Sequence, residues 1–159
     1  HDRSLAKLLF DLPEGRGECF LAVVIHCLFH PVGEIVVARS GAQVVLIGGR
    51  LYKHSLVAIG AEAIETLRMI RADLCMLGVC SLHPEVGIST QSLEEAHVKQ
   101  VMIESAAEVI ALVSAEKLGT AAPYIIAPLN ELTHIVTERE VSDAALAPYA
   151  DQGITILQT

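Results

Sequence analysis

The feature that most constrains the fold of this chain is a series of short apolar runs, each followed directly by a glycine or by polar residues. Residues 44–47 read Val-Val-Leu-Ile and precede Gly48, and residues 74–77 precede Gly78 in the same way. Residues 110–113 are followed by the polar stretch Ser-Ala-Glu-Lys. Apolar runs of this length that end at turn signals predict buried strands.

Segments with helical periodicity separate these runs, and the alternation predicts an α/β fold. Right-handed crossovers would place the strands in one open, mostly parallel, three-layer sheet with helices on both faces. The composition, 52% apolar with only 4% aromatic residues, suits parallel strands rich in Val, Ile and Leu. Strands are predicted at residues 19–26, 43–47, 73–78, 109–113, 124–126, 135–137 and 154–157, and helices at 5–12, 31–39, 55–70, 92–107 and 142–151.

Serines mark the predicted starts of two helices. Ser92 stands three residues before Glu95, which is the pattern of a capping box. Ser55 is predicted to cap the helix at 55–70. The segment between Gly78 and the helix at 92–107, up to Thr90, is predicted to be an irregular loop.

Size and charge limit the classes of function. At 159 residues, the chain is expected to be a single domain over residues 1–159. Eleven Lys and Arg against nineteen Asp and Glu give a net charge of −8, which lacks the basic surface that nucleic-acid binding requires. The longest apolar stretch, residues 20–29, is interrupted by His26 and is too short to span a bilayer. We therefore expect a soluble, cytoplasmic domain with no membrane partner.

The four cysteines give no sign of a metal site. Cys19, Cys27, Cys75 and Cys80 have no C-x-x-C spacing, and paired short spacings of Cys or His are missing. We expect no bound metal and no cofactor.

Taken in order and spacing, the motifs resemble the C-terminal effector-sensing domain of DeoR-type bacterial transcriptional regulators. The resemblance covers about residues 5–157 and implies the fold of ribose-5-phosphate isomerase and CoA-transferases, on which the family senses phosphorylated sugars and related metabolites. In the family, a first strand and an Asp-x-Gly-Thr-Thr phosphate loop precede the helix predicted at 5–12, so we expect the domain to be N-terminally incomplete. We also expect a homo-oligomer that contacts DNA only through a helix-turn-helix domain outside this chain.

Glycines at strand ends are the first candidates for a binding site. Gly48 and Gly49, followed by Arg50, and also Gly78, come directly after predicted strands. Ligands of open α/β sheets bind outside the carboxyl ends of the strands, and glycine lets backbone N–H groups approach an anion closely. The alternative is that Gly48 and Gly49 only form the turn that leaves the strand.

Lys117 is the strongest single candidate. The stretch from Ser114 to Gly119 follows a strand and resembles the family's Asp-Ser-Ser-Lys-Phe-Gly. A lysine there is a flexible point charge suited to phosphate. The alternative is an ordinary solvated lysine.

Glu95 and Lys99 lie four residues apart and therefore on one helix face. The resemblance, in which the family carries Glu and Lys here, implies a pair at the mouth of the pocket, with Lys99 binding phosphate or orienting Glu95. The alternative is a solvated ion pair of small energetic effect.

Two further positions differ from the family pattern. His26 and Cys27 occupy the place of the family's Asn-Ser, and they keep only the polarity and small size of that motif. A strand-end histidine of structural role is the alternative for His26. Glu138 stands where the family often has Asp, and we expect it only to line the rim of the site.

Two functional classes remain from the sequence. One is a non-catalytic, ligand-sensing domain of a transcriptional regulator, which the resemblance implies is a repressor. The other is a sugar-phosphate isomerase or related enzyme on the same fold. Isomerases of this fold place carboxylates in the loop that corresponds to residues 78–83, where this chain has no acid. The sequence therefore favours the sensor; a bare oligomerisation module would leave the strand-end glycines unused.

Overall fold

The computed structural model describes residues 23–25, 45–55 and 57–159. Ten strands and three helices follow one another in these ranges. The strands are β1 (Val23–Ile25), β2 (Arg50–Tyr52), β3 (Val57–Ile59), β4 (Ala72–Gly78), β5 (Ser81–His83), β6 (Gly87–Thr90), β7 (Ala106–Leu112), β8 (Tyr124–Ala127), β9 (His134–Thr137) and β10 (Thr155–Gln158), and the helices are α1 (Ala61–Arg68), α2 (Leu93–Glu104) and α3 (Asp143–Ala150).

Five of these strands form one parallel sheet. Their order is β1-β4-β7-β9-β10, and every neighbouring pair is parallel. Helix α2 links β4 to β7 and packs against both, while α3 links β9 to β10 and packs against β10. The prediction of an α/β fold with a mostly parallel sheet flanked by helices is therefore confirmed.

Strand β4 lies at the centre of the core. Its residues 74–77 are all buried, although successive side chains of a strand point to opposite faces. Both faces of β4 are therefore covered by protein, which explains why this strand reads as a continuous apolar run rather than an alternating one.

The segment before α1 differs from the prediction. Residues 45–48 do not form a strand, and β2 and β3 make an antiparallel hairpin instead. The strand predicted at 43–47 is wrong over its described residues, because the ladder starts only at Arg50, after the turn made by Gly49.

The helix predicted at 55–70 begins later than expected, and its capping by Ser55 is wrong. Gly60 has φ of 100° and directly precedes α1, which starts at Ala61. A residue at that φ cannot continue a helix, so it separates β3 from α1. Ile59, Ala63 and Leu67 are four residues apart, which fits one face of a helix. Ile59 is nevertheless buried as a strand residue, and only Ala63 and Leu67 are buried on the helix.

A further correction concerns residues 79–90, which are not an irregular loop. Strands β5, β6 and β8 form a small antiparallel sheet, so the strand predicted at 124–126 exists but lies outside the parallel sheet. Gly87, with φ of 87°, makes this packing possible, since a Cβ there would lie 2.3 Å from the carbonyl oxygen of Ala127. The pattern was hard to read because the strands are only three or four residues long.

The other elements within the described residues agree with the sequence. Ser92 caps α2, accepting a hydrogen bond from the Glu95 amide at 3.4 Å, and Ser142 caps α3. The helices predicted at 5–12 and 31–39 lie outside the described residues, and β1 falls within the strand predicted at 19–26. Among the described residues, no helix has both the length and the apolar character needed to cross a membrane.

Candidate functional site

The carboxyl ends of β4, β7 and β9 meet at one edge of the parallel sheet. In the register of the sheet, Gly78 pairs with Leu112, and Leu112 pairs with Val136. Residues that follow these three positions are therefore brought to a common edge, which is where ligands bind in open α/β sheets. Two predicted site residues, Gly78 and Lys117, belong to this edge.

Lys117 ends a single 3₁₀ turn that follows β7. The turn spans Ala115–Lys117, and the Lys117 amide donates to the carbonyl of Ser114 at 2.9 Å. The lysine is half-buried. Among the described residues the ion pairs are Arg50–Glu94 and Lys99–Glu95, so Lys117 forms no ion pair there. The pKa of the neighbouring Glu116 is lowered mainly by the Ser114 hydroxyl and to a smaller extent by the Lys117 charge.

Glu138, expected only to line the rim, holds this turn in place. Its Oε2 accepts a hydrogen bond from the Ala115 amide at 2.8 Å and a second from the Thr137 hydroxyl at 3.0 Å. The carboxylate therefore satisfies an amide at the start of the turn that no backbone carbonyl reaches. The side chain at the end of β9 thus fixes the backbone that carries Lys117.

Glu95 and Lys99 form a buried ion pair on α2. The distance from Lys99 Nζ to Glu95 Oε1 is 3.0 Å, and the two side chains are only 1% and 4% exposed. The alternative of a pair on a solvated helix face is therefore wrong. Thr90, at the end of β6, donates to Glu95 Oε2 at 3.0 Å, so the carboxylate is engaged on both oxygens.

Two cysteines lie near this pair and behave differently. Cys80 is half-buried, and its Sγ lies 3.9 Å from Lys99 Nζ and 3.5 Å from the Thr90 hydroxyl. Cys75 is fully buried in β4. Burial raises the pKa of the Cys75 thiol to about 12, with the Lys99 charge opposing the change. Cys75 is therefore a neutral core residue.

The Gly48-Gly49-Arg50 segment leads into the hairpin rather than out of a sheet strand. Gly49 has φ of 130°, and a Cβ there would lie 2.8 Å from the carbonyl oxygen of Ile59, so this glycine is needed for the turn. Gly48 has open space around it. Arg50 pairs with Glu94, which joins the hairpin to the first turn of α2, next to Glu95.

The strand-end argument for Gly48 and Gly49 is thus wrong, because residues 45–48 are not a strand. The turn-forming alternative is the better account of Gly49. Gly78, by contrast, does end a strand of the parallel sheet, and a Cβ there would contact nothing within 4 Å. His26 and Cys27 lie outside the described residues.

A surface groove lies between α1 and α2, and none of the predicted site residues lines it. It is bounded by Ile64 and Arg68 on one helix and by His97 and Glu104 on the other. Within the described ranges, no group of three or more His, Cys, Asp or Glu side chains could hold a metal ion. The described groups at the sheet edge are the Lys117 ammonium, the Glu138 and Glu116 carboxylates, hydroxyls, the Cys80 thiol and backbone amides.

Sequence reasoning overlooked three residues that shape this edge. Thr90 binds Glu95, Cys80 lies beside Lys99, and Tyr149 of α3 contacts two of the loops at the edge. A polar residue at the end of a short strand was the available signal for Thr90. Tyr149 gave no signal, because its partners are 30 and 67 residues away in the chain.

A known protein family matches most of this chain. The family described as the DeoR C terminal sensor domain matches residues 21–139. The chain belongs to this family. It is therefore a ligand-sensing regulatory domain, as its motifs indicated.

Curated relatives of this sensor domain are transcriptional regulators. The HTH-type transcriptional repressor GlcR of Bacillus subtilis is 31% identical over 80% of this chain and 49% of its own length. The HTH-type transcriptional regulator GlpR of Haloferax volcanii is 28% identical over 72% of this chain and 45% of its own length. A putative aga operon transcriptional repressor of Escherichia coli O157:H7 is 22% identical over 79% of this chain and 47% of its own length. The chain spans about half the length of these relatives.

Proposed function

We propose that this chain is the effector-sensing domain of a transcriptional repressor and that its effector is a phosphorylated sugar or a related anionic metabolite. The observation that carries the proposal is the Lys117 turn. It presents an ammonium that forms no ion pair among the described residues, at the edge of the sheet where β4 and β7 end. The printed descriptions of the relatives as repressors and regulators support the regulatory role.

The residues at this edge would divide the binding of such an effector between them. Lys117 would bind the phosphate as a point charge. Gly78 would let the ligand approach the backbone, since no described residue occupies the space beside it. The buried pair of Glu95 and Lys99 would hold Thr90 at the edge rather than contact phosphate directly. Ligand contacts by His26, Cys27, Gly48, Gly49 and Arg50 remain predictions.

We further propose the three-layer fold of ribose-5-phosphate isomerase for the complete domain, with helices on both faces of the sheet. In the full-length protein, a helix-turn-helix domain would contact DNA, because this acidic domain offers no basic surface for it. A homo-oligomer in the cytoplasm fits such a regulator.

A sensor fits the edge better than an isomerase does. Proton transfer in an isomerase needs a carboxylate or similar base that can reach the substrate. Glu95 is 3% exposed and engaged by Lys99 and Thr90, and the loop after β4 carries no acid. The other two carboxylates near the Lys117 turn are also engaged: Glu138 by the Ala115 amide and the Thr137 hydroxyl, and Glu116 by the Ser114 hydroxyl. We therefore propose that the domain binds its effector without transforming it.

A thermal-shift screen tests the proposal. The full-length protein is heated with a panel of aldohexose 6-phosphates, ketohexose 1- and 6-phosphates and triose phosphates, and with the same sugars lacking phosphate. A ligand at 100 times its Kd stabilises the folded state by about 2.7 kcal/mol, which for a domain of this size raises Tm by roughly 5–10 °C. We expect at least one phosphorylated sugar to do so and its unphosphorylated form to have no effect. Stabilisation by none of the panel contradicts the proposal.

A further inference from the structure

Tyr149 is a buried polar side chain that connects β5 to the loop after the Lys117 turn. It lies on α3, is 1% exposed, and is among the largest fully buried side chains of the described residues. Its hydroxyl donates to the carbonyl oxygen of Leu82 at 2.8 Å and accepts from the amide of Gly119 at 2.9 Å. Leu82 lies in β5, just after the loop that follows β4, and Gly119 lies two residues after Lys117.

The two partners of Tyr149 are also joined to each other. The Gly119 amide donates to the Leu82 carbonyl at 2.8 Å, so the hydroxyl, the amide and the carbonyl form a closed triangle of hydrogen bonds. Gly119 has φ of 71°, a conformation that leaves its amide available at the end of the Lys117 turn. Burial raises the pKa of Tyr149, which keeps its hydroxyl protonated as the donor to Leu82 at neutral pH.

We infer that Tyr149 is a positioning residue for effector binding: it fixes the end of the Lys117 turn against β5, the strand that follows the loop after β4. The inference rests on the proposed function of this edge. Glu138, which directly follows β9, holds the start of the same turn through Ala115, so the turn is fixed at both ends, with Tyr149 of α3 at the other end. Without Tyr149, the backbone around Lys117 would sample more conformations, and binding would have to restrict them.

Tyr149→Phe tests the inference because it removes only the hydroxyl and keeps the buried ring. The matched control is Ser105→Ala, which removes another buried hydroxyl bonded to a backbone carbonyl, that of Leu67 at 3.3 Å. Ser105 directly precedes β7, whereas Lys117 follows it, so the control lies at the opposite edge of the sheet.

Two measurements are made on the parent, Y149F and S105A. The first is the Kd of whichever phosphorylated sugar of the panel stabilises the parent, by calorimetry. We expect about tenfold weaker binding by Y149F, which loses the hydrogen bond to Leu82 and the one from Gly119, and no change for S105A. The second is amide hydrogen exchange of residues 115–120 in the ligand-free protein, which should be faster in Y149F only.

The outcomes separate the inference from the proposed function. Binding by Y149F as tight as by the parent, or an equal loss of affinity in both variants, overturns the positioning role. If no panel sugar binds the parent, the proposed function is wrong, and hydrogen exchange alone decides whether Tyr149 orders the turn. If amide exchange of residues 115–120 is the same in Y149F as in the parent, Tyr149 does not order the turn.

Discussion

Lys99 Nζ lies 3.0 Å from Glu95 Oε1, and almost none of either side chain is exposed to solvent. Adjacent turns of α2 supply both charges, and Thr90 supplies a hydroxyl to the second carboxylate oxygen. A buried pair of this kind stabilises a fold only while both partners are present, because each charge has given up its hydration. The pair therefore makes the fold sensitive to the loss of either residue.

The first prediction concerns this pair. Lys99→Met leaves the Glu95 carboxylate buried without its cation and should lower the free energy of unfolding by about 3–5 kcal/mol. The control is Arg50→Ala, which breaks the exposed Arg50–Glu94 pair and should cost less than about 1 kcal/mol. Urea denaturation of the three proteins measures both changes. Equal losses in the two variants would show that the Lys99–Glu95 pair is effectively solvated.

The second prediction concerns Glu138 and distinguishes positioning from charge. Glu138→Ala leaves the Ala115 amide and the Thr137 hydroxyl without their acceptor, whereas Glu138→Gln keeps an oxygen in the same place. We expect about tenfold weaker effector binding in the first variant and near-parental binding in the second, by calorimetry. If Glu138 acted only by repelling an anion, both variants would bind a sugar phosphate more tightly than the parent does.

The third prediction follows from the buried thiol of Cys75. Its pKa is raised in the folded state from 9.0 to about 12, so above pH 9 the unfolded chain loses a proton that the folded chain retains. The thiol contributes stability that is fully present below pH 9 and declines as pH rises towards 12, by about 1.4 kcal/mol per pH unit.

Denaturation in reducing buffer at about pH 8 and pH 10 measures this decline. Cys75→Ala should be less stable at both values, because it leaves a small cavity in β4, but its stability should fall less steeply between them. A decline of the same slope in parent and variant would contradict the assignment to Cys75.

Local signals explain which features the sequence predicted. The cap at Ser92 and the turn that contains Lys117 depend on residues within a few positions of one another, so the sequence contains the information directly. The parallel sheet follows from apolar runs such as that of β4, which are buried on both faces. These features agree with the structure.

Features that depend on distant partners were not predictable in the same way. Glu138 reaches an amide 23 residues earlier in the chain, and Tyr149 reaches a carbonyl 67 residues earlier. The β2–β3 hairpin was missed because the apolar residues of β3 also fit the spacing of the helix that follows. Gly60, which has a positive φ, separates that helix from β3. The burial of the Glu95–Lys99 pair depends on tertiary packing, which its spacing on the helix does not reveal.

Effector binding is expected to depend most directly on Lys117. The decisive measurement is the Kd of a phosphorylated sugar identified by the thermal-shift screen, determined for the parent, Lys117→Ala and the control Lys53→Ala. Lys53 is an exposed lysine in the turn of the β2–β3 hairpin, so its removal changes the net charge equally. We predict that K117A loses most of the affinity while its ligand-free Tm stays near that of the parent, and that K53A binds normally. Parental affinity in K117A, or equal losses in both variants, would contradict the assignment of the site to this turn.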